Sequence, residues 1–85
     1  MKIKTQVSAG QCTGNWYPGV VDRVEGNGYY AAVRGSDGNL HYVNYSYTDF
    51  YPTNQALWKG EQVDYTLYPS GWPNAGKISC VSKVP

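Results

Sequence analysis

The chain has 85 residues and a formal charge of +1, with charged residues at 15% and aromatic residues at 15%, nine of them tyrosine. That length allows one domain with a modest core. The near-neutral charge leaves no broad basic field of the kind that holds duplex DNA nonspecifically; single strands, which aromatic rings hold by base stacking, remain as a nucleic-acid ligand.

Glycine and proline recur about every ten residues, so no long amphipathic helix fits. The intervening segments are short and rich in Val, Tyr and Thr, the pattern of an all-β domain. Met1 opens "MKIKTQVSAG", with no apolar run of signal-peptide or membrane-spanning length. A first strand is expected near 2–8 and others near 16–25, 28–35, 39–46, 61–68 and 76–83. The longest irregular connection is "YTDFYPTNQALWKG" (47–60), with a short helical turn expected around Asn54–Trp58. Five or six strands in so short a chain predict a small closed antiparallel barrel, because closure removes exposed edges.

The hairpin "GNGYYAAVRGSDGNLHYVNYS" (26–46) is dense in aromatic residues. "GSDGN" (35–39) suits a type I turn centred on Ser36 and Asp37, with Gly38 in the left-handed bulge position. That register pairs Gly35 with Asn39. It places Tyr30, Ala32, Arg34, Leu40, Tyr42 and Asn44 on one face, and Tyr29, Ala31, Val33, His41, Val43 and Tyr45 on the other. The second face is the core candidate, so Tyr30 and Tyr42 point outward. A two-residue Asp-Gly turn would shift the pairing by one and set Tyr29 beside Tyr42. Outward rings can stack nucleobases at about 1–3 kcal/mol each. Arg23 and Arg34 can meet phosphates or stack through the guanidinium plane, and the Asn44 amide can read a base edge.

From Gly19 to Lys83 the chain resembles a cold-shock domain, a five-stranded OB-fold barrel that binds single-stranded RNA and DNA. "GVVDRV" lies where that family begins its first strand. "GYYAAV" lies at its first binding motif, and "DGNLHYVNYS" at its acidic turn and second motif. "LWKGEQVDYTLYPSGWPNAGKISCV" resembles the closing portion. The resemblance implies that Tyr30, Tyr42 and Tyr45 replace family phenylalanines and that Asn44 replaces a histidine. Tyr45 has the inner parity, yet the family uses that position for binding where the strand ends and twists. Ala32 stands at a second phenylalanine of the first motif, Arg23 and Val24 at two first-strand aromatics, and Asp22 and Gly28 at lysines. These departures remove about half of the family's stacking platform. Trp72, in the last loop, is a candidate to restore part of it. Residues 1–18 are an extension or extra strand on a single domain.

The stretch "NWYPGVVDRVEGNGYYAAVRGSDGNLHYV" also resembles a Tudor-type SH3-like barrel. Such domains hold methylated lysine or arginine in an aromatic cage by cation–π attraction. Trp16, Tyr17, Tyr42 and Tyr45 would form the cage, and a protein or peptide would be the partner. Exposed tyrosine and tryptophan also stack on sugar rings.

No arrangement of base and nucleophile, or of paired acids, points to catalysis, so a non-catalytic binding module without cofactor is expected. His41, the only histidine, reads as structural. Metal spacings are missing. Cys12 and Cys80 are expected as free thiols in a cytoplasmic protein, the alternative being a disulfide between first and last strands. The expected assembly is a monomer or weak homodimer.

Overall fold

A computed structural model describes Cys12 and residues 14–52 and 55–85. The strand expected near 2–8 and Asn54 of the expected helical turn lie outside the described residues. Six strands follow in chain order: β1 (Tyr17–Glu25), β2 (Tyr30–Gly35), β3 (Leu40–Asn44), β4 (Asp49–Phe50), β5 (Gln62–Leu67) and β6 (Ile78–Lys83). Residues 55–58 have no regular structure, so no helical turn forms there. Leu57 is instead buried in the core, and its N–H donates to the Gly28 carbonyl at 2.8 Å.

The strands form one sheet in the order β3-β2-β1-β5-β6-β4. The fold is all-β, as expected, but the sheet is mixed rather than antiparallel. β4 runs parallel to β6, pairing Asp49 with Cys80 and Phe50 with Val81. The ladder is also open, with β3 and β4 as its two edges, where a closed barrel was expected. The four-residue connections 26–29 and 36–39 enforce antiparallel pairing of neighbouring strands, whereas the longer path from β4 through β5 back to β6 permits a parallel return.

The β2–β3 hairpin adopts the three-residue loop read from "GSDGN". Gly35 N–H donates to Asn39 O and Gly38 N–H to Gly35 O, both at 2.9 Å, and Gly38 has φ +88°. Tyr30 lies opposite Asn44, Ala32 opposite Tyr42 and Arg34 opposite Leu40, the register of the bulged turn. Its inner face supplies Ala31, Val33 and Val43 to a core completed by Val21, Val63, Tyr65, Ile78, Val81, Phe50 and Leu57.

β1 carries the main irregularity. Val21 pairs with Val33 and Arg23 with Ala32, so Asp22 is an extra residue. Val21 and Val24 both belong to the core side although they are three apart; a regular strand would put them on opposite faces. The bulge resolves this conflict and turns Arg23 and Glu25 together to the outer face.

Cys12 and Cys80 form a disulfide with Cα atoms 5.6 Å apart, in place of the expected free thiols. It ties the segment preceding β1 to the fully buried middle of β6. The Asp49 carboxylate lies within 4.8 Å of both sulfurs. Bonded to each other, the sulfurs offer no thiolate to a metal.

Candidate functional site

The outer face of β1, β2 and β3 encloses a cavity of about 250 Å³. Arg23, Glu25, Tyr30, Ala32, Tyr42, Asn44 and Tyr47 line it. Cross-strand pairing explains the grouping. Arg23 is opposite Ala32, which is opposite Tyr42, while Glu25 is opposite Tyr30, which is opposite Asn44. Two adjacent rows of the sheet thus converge on one spot. Ala32 is buried at 2% exposure and forms the floor, whereas Tyr30 (41%) and Tyr42 (48%) stand up as walls.

Tyr30 is seated by Gly26, which has φ +55°; a Cβ there would run into the Tyr30 ring. The glycine meets both demands, a left-handed backbone and a close ring. Asn44 is held by the turn that follows β3. Its Oδ1 accepts from Ser46 N–H at 2.9 Å and from Ser46 Oγ at 2.7 Å. The carbonyl end of its amide is therefore occupied, and the amide's NH₂ is the end offered to a ligand. Tyr47, which ends the same turn, has its backbone carbonyl bonded by the Tyr68 hydroxyl and its ring 5.4 Å from Lys77 Nζ. Burial raises the Tyr47 hydroxyl above its ordinary pKa of 10.0, so it remains a neutral donor and acceptor near pH 7. Among the described residues, neither Arg23 nor Glu25 takes part in an ion pair, while Arg34 and Lys83 both do.

Four of the residues singled out from sequence thus meet at one place: Arg23, Tyr30, Tyr42 and Asn44. Three do not. The Tyr45 ring packs on the core side, edge-on to Tyr29 at 5.4 Å and tilted to Phe50 at 6.1 Å. The inner parity of the strand governs its direction, and the twist at the strand end does not bring it outward. Arg34 lies at the far end of the face, where its guanidinium meets Gly38 O at 2.9 Å and Asp22 at 3.7 Å. Trp72 is exposed in the β5–β6 loop and does not line the cavity. The rings named for an aromatic cage have separate partners. Trp16 faces Tyr51 at 6.1 Å, Tyr17 faces Tyr65 at 5.7 Å, Tyr45 joins the core, and Tyr42 stands on the outer face.

Comparison with protein families and with curated proteins gives no match.

Glu25 and Tyr47 belong to the site and were not singled out from sequence. Glu25 was legible in principle. The apolar Val21 and Val24 cannot both face inward without an extra residue between them, and that residue also turns Glu25 outward. Tyr47 had no such signal, because a tight turn after β3 carries it back beside the strand.

His41 stacks near Tyr65, with ring centroids 5.4 Å apart, and its Nδ1 donates to the Gly76 carbonyl at 3.3 Å. The first contact ties β3 to β5 and the second ties it to the β5–β6 loop.

Proposed function

We propose that this protein is a non-catalytic binding module of OB-like architecture that holds single-stranded nucleic acid on the outer face of β2 and β3. The carrying observation is the cavity in which two exposed tyrosines rise on either side of Ala32, beside Arg23 and Asn44. Rings offer stacking faces, the guanidinium offers phosphate or base contact, and the amide reads an edge.

The topology supports the OB-like reading. The edge strands β3 and β4 are consecutive in the chain and separated only by residues 45–48. The chain therefore bridges the opening of the sheet, and Thr48 Oγ1 donates to Ile78 O at 2.7 Å across it. A partly open barrel of this kind binds oligomers on its second and third strands and the loops beside them.

A methylated lysine or arginine fits less well, because the rings named for its cage lie with separate partners and do not surround one point. The Cys12–Cys80 disulfide favours an oxidising compartment over the cytoplasm expected for free thiols.

Titration with oligo-uridine or oligo-thymidine tests the reading. Tyrosine and tryptophan fluorescence should be quenched, with salt weakening the effect. Unchanged fluorescence at tens of micromolar strand (roughly the range of nonspecific affinities), together with binding of methylated peptides, would overturn it.

A further inference from the structure

We infer that the cavity is a pocket for a single base and that it selects guanine. The inference rests on the single-strand reading above and goes beyond it to the ligand.

Size and spacing come first. At about 250 Å³ the cavity is smaller than the roughly 300–1,000 Å³ of ordinary small-molecule sites. Tyr30 and Tyr42 are diagonal neighbours across the β2–β3 ladder, since Tyr30 pairs with Asn44 and Tyr42 with Ala32. Diagonal positions on an antiparallel pair are about 7–8 Å apart, roughly twice the 3.5–4.0 Å contact distance between carbon atoms. One planar ring fits between two such side chains. Ala32 carries only a methyl group between them, and Gly26 lies close to the Tyr30 ring, where a Cβ would collide with it.

Chemistry then chooses the ring. The slot is lined by an acceptor-only group, the Glu25 carboxylate, by two donors, the Arg23 guanidinium and the Asn44 NH₂, whose partner oxygen is taken by Ser46, and by the Tyr47 hydroxyl, which can serve either kind of edge. Among the described residues the two charges are not spent on ion pairs. A base that satisfies both kinds of wall must present neighbouring donors on one edge and neighbouring acceptors on another. Guanine does so, with N1–H and N2–H₂ for the carboxylate and O6 and N7 for the guanidinium or amide. Uracil and thymine have a single ring donor. Adenine and cytosine carry an amino donor beside a ring acceptor, which a carboxylate repels.

Fluorescence anisotropy of a labelled seven-nucleotide uridine RNA, with the central position replaced in turn by guanosine, adenosine, cytidine and inosine, tests this on the wild-type protein. The guanosine strand should bind about tenfold or more tighter than the uridine strand, the gain of a bidentate pair. Inosine, which keeps O6 and N7 but lacks the N2 amino group, should lose most of that gain. Glu25→Gln should bring the ratio of guanosine to uridine strand toward one. Binding of all five strands within threefold of one another would overturn the guanine pocket and leave the single-strand reading standing. Binding by none would overturn both. Inosine keeps N1–H, so full retention of its affinity would overturn the bidentate contact of the carboxylate with N1–H and N2–H₂ and, with it, the guanine pocket.

Discussion

Ala32 lies directly opposite Tyr42 in the β2–β3 ladder. One is buried at 2% exposure and the other stands 48% exposed, on the same face of the sheet. The small residue is what turns a row of rings into a slot. A second ring at position 32 would have filled it.

The first prediction separates Tyr42 from Tyr45. Tyr42→Ala should weaken oligonucleotide binding by about 1–3 kcal/mol and leave the urea unfolding midpoint nearly unchanged, because the ring is exposed. Tyr45→Ala should lower stability by about 2–4 kcal/mol, since its half-buried ring packs on Tyr29 and Phe50. Paired binding and urea titrations would show the two effects exchanged if the outer and inner faces were misassigned.

Gly26→Ala is expected to impair the site through Tyr30. The new methyl group would occupy the place of the Tyr30 ring and would have to adopt φ +55°. Destabilisation of about 1–2 kcal/mol follows from the backbone alone. Oligonucleotide affinity should fall further than in a control of matched stability, read by anisotropy below the unfolding transition.

Much of this arrangement was legible in the chain. The "GSDGN" turn specified its own register, and with it the outward direction of Tyr30 and Tyr42. The spans of β1, β2, β3, β5 and β6 followed from glycine and proline, whereas β4 lay within the stretch read as an irregular connection. Two things were not read from the chain. The bulge at Asp22 had a local signal in Val21 and Val24, both apolar and three apart, but it takes effect only when both face the core, which the assembled sheet decides. The parallel return of β6 beside β4 is a long-range pairing with no local signal. Tyr45 shows the reverse case, where alternation along the strand was a better guide to its direction than family resemblance.

The disulfide should contribute heavily to stability. It closes a loop with a sequence separation of 68, and loss of such a bridge from a small domain costs about 2–5 kcal/mol. The purified, denatured protein should show no free thiol by thiol titration. Reduction should lower the melting temperature, and a Cys12→Ser variant should melt at the reduced value.

Acid should loosen the β2–β3 turn. The Asn39 backbone N–H, 2.9 Å from the Asp37 carboxylate, is the main cause that holds Asp37 below its ordinary pKa of 3.8; desolvation opposes it, and the Asn39 side chain and His41 add to the lowering. A folded-state pKa below the unfolded one stabilises the fold above the unfolded value, and the contribution disappears as pH falls through the folded value. Any stability advantage of the wild type over Asp37→Asn should therefore be constant near neutrality and shrink below pH 3.8. Urea midpoints measured across that range would detect it.

The central claim is that the face of β2 and β3 holds the ligand. Amide and side-chain NMR shifts of the labelled protein, followed through a titration with the guanosine-containing strand, test it most directly. The account predicts that perturbations cluster at Arg23, Glu25, Tyr30, Tyr42, Asn44 and Tyr47, with Tyr17 and Tyr65 unmoved. Perturbations centred on Trp16, Tyr17 and Tyr51, or none at saturating strand, would contradict it.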